Sequence, residues 1–385
     1  MSLDLLNLPE QALLLGRIWR PDVQGPSVVT IRDGSLVDIT TAESPTISAL
    51  LERDDAAEYV ARAPGETVAD LDSVVANSQG TPDQSKPYLL APVDLQVIKA
   101  CGVTFAQSMI ERVIEEKAAG NPDRAAAIRE RVASLIGGSL KNLKAGSPEA
   151  QRVKQALIEE GMWSQYLEVG IGPHAEVFTK APVLSSVGWG ADVGLHPVST
   201  WNNPEPEVVL AVNSRGEIKG ATLGNDVNLR DVEGRSALLL GKAKDNNASC
   251  SIGPFIRLLD ASYTLDSIRQ AELDLTVTGE DGYVLRGKSS MSQISRDPLD
   301  LVSQTCGAHH QYPDGFMLFL GTLFAPTEDR DTPNQGFTHK DGDVVEISSA
   351  ALGTLRNTVR RSTECSPWSF GIGALMQNLA KRRLL

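Results

Sequence analysis

Residues 201–254 read WNNPEPEVVLAVNSRGEIKGATLGNDVNLRDVEGRSALLLGKAKDNNASCSIGP, and the order of acidic, apolar and turn residues here decides the fold. Glu205 and Glu207 stand two apart, the spacing that points two side chains to one face of an extended strand. The apolar run VVLAVN then reaches Ser214-Arg215-Gly216-Glu217, a turn signal, and IKGATLGNDV returns, so the segment predicts a hairpin. Counting back along both arms brings Asp226 level with the Glu205 end. Three carboxylates at close range repel and raise one another's pKa unless a cation neutralises them. An all-oxygen set with no histidine or cysteine nearby favours Mg²⁺ or Mn²⁺ over Zn²⁺.

An E-x-E pair at the mouth of a hairpin is by itself ordinary solvated surface. The ordered series that follows is not: Gly224-Asn225-Asp226-Val227, Arg230-Asp231, then Lys244 ahead of Cys250-Ser251-Ile252-Gly253-Pro254. This series resembles the fumarylacetoacetate hydrolase family, whose pattern is E-x-E, G-x-D-V-x-x-R-D, and a lysine shortly before a C-x-x-G-P turn. The resemblance covers about residues 90 to 360. It implies a mixed, mainly β fold, a catalytic β-sheet or β-roll domain with a helical cover. It also implies Mg²⁺ (or Mn²⁺) on Glu205, Glu207 and Asp226, with Lys244 acting at the substrate carbonyl as polariser or C3 base.

The chain of 385 residues is long enough for one large or two medium domains with a substantial core. Its formal net charge of −13 argues against nucleic acid or an anionic membrane as partner. Cys101, Cys250, Cys306 and Cys365 are scattered without a CxxC pair, which fits free thiols in a reducing compartment. No basic region followed by an apolar stretch opens the chain, and no run approaches the roughly 18 apolar residues of a membrane span. The expectation is a soluble, cytoplasmic protein with a small-molecule partner.

Residues 1–87 predict a small N-terminal α/β domain: ALLLGRIWR and SVVTIRDGSLVDIT carry strand signals, with Asp33-Gly34 as a hairpin turn, and ISALLERDDAAEYVARA has helical spacing. The catalytic domain is expected over 88–385, beginning with LLAPVDLQVIKACGVTF as one buried strand. A helical insert is expected over about 106–165. Lys180 reads as a solvated strand-end lysine, and His174 and His196 as structural. AELDLTVTGEDGYVLRGKSS predicts a second hairpin with Asp281-Gly282 at its tip.

In the family a segment patterned G-x-N-Y-x-x-H-x-x-E ends in a helix that closes over the ligand, and its His and Glu activate water for C–C cleavage. Laid on this chain from Gly102, the pattern gives Thr104, Phe105, Ser108 and Glu111. Serine cannot take up a proton near neutral pH as imidazole does, which leaves Ser108 a substrate contact and Glu111 a lone acid/base candidate. Glu233 stands where the hydrolases carry Gln, and a carboxyl with a raised pKa can protonate a departing hydroxyl. Gly321-Thr322 matches the family's G-T, whose hydroxyl and amide hold a substrate carboxylate, and Arg230 is a second anchor.

These departures resemble the subgroup that dehydrates 2-keto-3-deoxy sugar acids. The expected activity is conversion of 2-keto-3-deoxypentonate to 2,5-dioxopentanoate in non-phosphorylative pentose degradation, by a hydro-lyase that assembles as a homodimer or higher homo-oligomer. The alternatives are a hydrolase cleaving a C–C bond of an acylpyruvate or 2,4-diketo-3-deoxy sugar acid, and a non-catalytic sugar-acid-binding protein.

Overall fold

A computed structural model describes residues 3–105, 109, 130, 143–162, 164–324, 328–331 and 336–385. In chain order the strands are β1 (Leu14–Arg20), β2 (Gly25–Arg32), β3 (Ser35–Asp38), β4 (Glu66–Asp70), β5 (Tyr88–Leu90), β6 (Val97–Gly102), β7 (Glu176–Ala181) and β8 (Asp192–Leu195). They continue as β9 (Pro206–Val212), β10 (Ile218–Asp226), β11 (Cys250–Leu258), β12 (Glu272–Thr278), β13 (Val284–Ser290), β14 (Phe316–Phe319), β15 (Val344–Ser349) and β16 (Gly353–Arg361). The fold is mainly β, as expected.

Strands β9 and β10 form the expected hairpin, with Asn225 opposite Pro206 and the Asp226 amide donating to the Glu205 carbonyl at 3.1 Å. They sit at the centre of a large sheet ordered β4-β3-β2-β1-β11-β10-β9-β14-β6-β7, with β5 on β1. Every residue of β9 is buried, because both faces of this strand are covered. Val208, Leu210 and Val212 join one hydrophobic cluster, which includes residues of the second sheet. Val209 and Ala211 join another, under the helices Ile47–Leu51 and Ala56–Arg62. Side chains alternate along a strand, so Glu205 and Glu207 share the face of Val209 and Ala211.

The second sheet runs β13-β12-β15-β16-β8. Burial alternates along β12 and β15, with one face packed and the other wet. Asp33 and Gly34 both take positive φ in the two-residue β2–β3 turn, and Gly282 does so at the β12–β13 tip.

Three sequence readings change. The N-terminal strands extend the central sheet, since β1 pairs with β11 (Leu14 opposite Arg257), so the 87/88 division does not interrupt the hydrogen-bonded sheet. The single strand expected over residues 89–105 is split into β5 and β6. Pro92 cannot donate to a ladder, and Asp94 turns away to accept the Ile47 and Ser48 amides at the start of a helix. Cys250 to Pro254, read as a turn, lies within β11 at a bulge against β10. Of the helical insert, Pro148–Glu159 and Gln165–Ile171 are described and share a small core of their own.

A buried ionic latch closes the path from β14 to β15. Arg330 donates to both Asp343 oxygens at 2.6 and 2.9 Å and stacks on Tyr283, while His339 Nδ1 lies 3.1 Å from Asp343 Oδ2. The His339 amide donates to Asn202 Oδ1 and the Asn202 amide to Thr338 Oγ1, so the latch steadies the segment leading to Glu205.

Two outcomes follow from this packing. A Cβ on Gly224 would stand 2.3 Å from Phe319 Cε1 and 2.5 Å from Val209 Cγ2, so Gly224→Ala should cost about 1–3 kcal/mol in urea unfolding. Burial pushes the His339 imidazole below its usual 6.5 despite the Asp343 carboxylate. The folded chain therefore resists a proton that the unfolded chain accepts, and stability is lost as pH falls through about 6.5. Urea unfolding at pH 7.5 and 5.5 should show this loss in the wild type and a smaller one in His339→Gln.

Candidate metal centre

Glu205 enters from the segment preceding β9, Glu207 from β9 and Asp226 from the end of β10. One oxygen of each lies within 4.8 Å of the others. All three are nearly out of solvent, at 6, 2 and 2% exposure. Local hydrogen bonds set the cluster: Asn225 Oδ1 accepts the Glu205 amide at 3.2 Å, and Glu207 Oε2 accepts the Gly321 amide at 2.6 Å.

Two buried ammonium groups face these carboxylates. Lys244, at the end of the helix Leu240–Lys244, donates to Glu205 Oε2 at 2.5 Å and Asp226 Oδ2 at 2.9 Å. Lys180 Nζ lies 2.9 Å from Asp226 Oδ1, and it also donates to the carbonyls of Val227 and Lys244. The solvated strand-end lysine read from the sequence is thus fully buried at the centre. Its position on β7, which pairs with β6 at the end of the sheet order, is a tertiary fact that no local pattern carries.

The electrostatics are those of a site short of positive charge. Burial alone would lower the Lys244 pKa, but Asp226 and Glu205 outweigh it and hold the ammonium well above its ordinary value. Burial would raise Asp226, and the two lysines bring it below the usual carboxylate range. Glu207 goes the other way: burial, with Asp226 and Glu205 beside it, raises it well above 4.5. Three carboxylates against two ammonium groups leave one negative charge in a dry place, and a divalent cation among the oxygens would relieve it. The donor set is all oxygen and so fits Mg²⁺ or Mn²⁺.

The other expected residues divide. Glu233 closes the short helix Arg230–Glu233, and Asn228 Nδ2 donates to its Oε2 at 2.8 Å and to Glu205 Oε1 at 3.1 Å. Arg230 stacks its guanidinium on Trp201, 4.1 Å from the ring centroid. The Gly321 amide, expected to meet a substrate carboxylate, serves Glu207 instead. Gly321 has φ +88°, and a Cβ there would strike Thr104 Oγ1, so glycine is required. Thr322 is half-buried, its Oγ1 accepting the Phe324 amide at 3.1 Å. Ser108 and Glu111 lie outside the described residues. Asn228 passed in the sequence as a spacer. The signal that could have found it is its place two residues after Asp226, on the same face of an extended chain.

Residues 196–360 match the family model described as fumarylacetoacetate (FAA) hydrolase C-terminal. The chain is 31% identical over 201 residues to the probable 2-keto-3-deoxyxylonate dehydratase of Haloferax volcanii, covering 52% of this chain and 65% of that protein. It is 30% identical over 189 residues to the 2-dehydro-3-deoxy-D-arabinonate dehydratase of Saccharolobus solfataricus, covering 48% and 59%. The match thus spans about three fifths to two thirds of the length of these relatives. A solved 2-keto-3-deoxy-D-arabinonate dehydratase, complexed with magnesium and 2,5-dioxopentanoate, aligns over 90% of this chain and 99% of its own. The TM-score is 0.62 at 20% identity, a likeness of fold.

Adding Mg²⁺ or Mn²⁺ should raise the melting temperature, by the equivalent of about 2.7 kcal/mol at a hundred times the dissociation constant. Asp226→Asn, which removes one ligand charge, should abolish the rise in a thermal-shift titration.

Proposed function

We propose, with residues 196–360 forming a domain of the fumarylacetoacetate hydrolase family, that the chain is a divalent-metal-dependent dehydratase of a 2-keto-3-deoxypentonate, yielding 2,5-dioxopentanoate. The observation that carries the reading is Glu233, a carboxylate held through Asn228 beside Glu205, in a cluster that no histidine joins among the described residues. Dehydration needs a proton donor for a departing hydroxyl, whereas hydrolysis needs a base for water. The names of the two relatives support the same choice.

Glu205, Glu207 and Asp226 would hold the ion. When bound, a divalent ion supplies Lewis acidity toward the 2-oxo oxygen and so acidifies the C3 protons. Lys244 acts at the same substrate carbonyl, as a charge and hydrogen-bond donor to its oxygen or as the base that takes the C3 proton. Glu233 and Glu111 are the acid/base pair: a proton leaves C3, and the C4 hydroxyl departs with a proton as water. The resulting enone loses one proton from C5 and the proton of the C5 hydroxyl and gains one proton each at C3 and C4, which turns the C5 alcohol into the aldehyde. One water is lost overall. Arg230 and Thr322 anchor the substrate carboxylate with Ser108. A cytoplasmic homodimer is part of this reading, and light scattering in solution checks the pairing.

Incubation with Mg²⁺ and 2-keto-3-deoxypentonates should give a product lighter by one water. Lys244→Met should lower kcat by about 10² to 10⁴. Pyruvate as product would favour the hydrolase instead, and ligand binding without turnover would favour a sugar-acid-binding protein.

A further inference from the structure

We propose that Asn228 is a positioning residue that ties the metal-ligand carboxylate of Glu205 to Glu233, so that one side chain sets the place of both. The catalytic half of this inference rests on the function proposed above; the half concerning Glu205 rests on geometry alone. Asn228 Nδ2 carries two protons, and both are used: one on Glu205 Oε1 at 3.1 Å, one on Glu233 Oε2 at 2.8 Å. Donors to ionised carboxylates make the stronger class of hydrogen bond. The reverse orientation of the amide would aim Oδ1 at two carboxylates, so repulsion fixes which end faces them.

The backbone is held as firmly. Asn228 and Asn203 exchange both backbone hydrogen bonds at 3.1 Å, continuing the β9–β10 hairpin beyond its last ladder pair. The side chain is 1% exposed, so water does not compete for its donors. Residue type matters for the same reason. A serine or threonine hydroxyl has one proton and can serve one carboxylate only, and aspartate would add a further negative charge between the two. Asparagine is the short side chain that can donate to both. Glu205 and Glu233 are 28 residues apart in sequence and reach Asn228 from different elements, one from the arm before β9 and one from the helix after β10. Groups that orient metal ligands typically change metal affinity or activity 10–100-fold when removed.

The test uses Asn228→Ser, Glu233→Gln and the double variant, with Asn228→Asp as an isosteric second probe of the same contacts. Calorimetric titration with Mn²⁺ alone should show affinity about 10-fold lower in Asn228→Ser than in wild type, and altered in Asn228→Asp, whose added charge itself attracts the cation. In turnover, Asn228→Ser should lower kcat about 10-fold or more and move KM less. In the Glu233→Gln background the same substitution should lower kcat by less than about threefold, because the ionisable carboxyl it positions is already gone. Unchanged Mn²⁺ affinity in Asn228→Ser overturns the tie to Glu205. A kcat effect that is the same with and without Glu233 overturns the tie to Glu233. Wild type that binds Mn²⁺ but dehydrates none of the sugar acids overturns the proposed reaction, while the Mn²⁺ titration still decides the Glu205 half.

Discussion

The register of one hairpin imposes the constraint on which this protein is built. Once Asn225 lies opposite Pro206, Asp226 has no choice but to stand beside Glu205, with Glu207 two residues further along the same face. Three like charges are then buried where water cannot screen them. The arrangement holds only because positive charge is brought to it from β7 and from the helix after β10, as Lys180 and Lys244. Removing one partner from such a buried set typically costs 3–5 kcal/mol. The lysines are therefore part of what holds the fold.

The balance is incomplete, and the incompleteness is informative. Glu207 is the carboxylate whose pKa is driven up, and the hydrogen bond it accepts comes from a neutral backbone amide, that of Gly321. Glu205 and Asp226 take the lysines. A divalent ion bound among the three oxygens would do most for Glu207, since Lys244 and Lys180 pair with the other two. The Gly321 amide belongs to this arrangement: a glycine at φ +88° lets the backbone turn inward and aim its N–H at Glu207 where any Cβ would collide with Thr104.

Around this centre the rest of the chain supplies rigidity. The N-terminal strands lengthen the sheet on the β11 side, and the C-terminal helix Ile372–Lys381 is stapled back on them by Asn378 to the carbonyls of Val23 and Gln24. The Arg330–Asp343–His339 latch supports the segment that delivers Glu205. The Glu205 end of the hairpin is thus anchored by groups distant in sequence, which steadies the carboxylates without relying on loop stiffness.

Much of this was legible in the residues. Period-two spacing of Glu205 and Glu207, the Ser214–Glu217 turn and the count back to Asp226 depend on local geometry, and local geometry survives in any fold. So do the Asp33-Gly34 and Asp281-Gly282 turns, because few residues other than glycine, asparagine and aspartate accept positive φ cheaply. Lys180, Asn228, the engagement of the Gly321 amide and the joining of β1 to β11 were decided by the tertiary structure. Each depends on which strand lies next to which, or on which buried group lacks a partner. Those are properties of segments tens to hundreds of residues apart, and side-chain type alone does not encode them. A lysine on a strand looks the same in sequence whether water or an aspartate receives its charge.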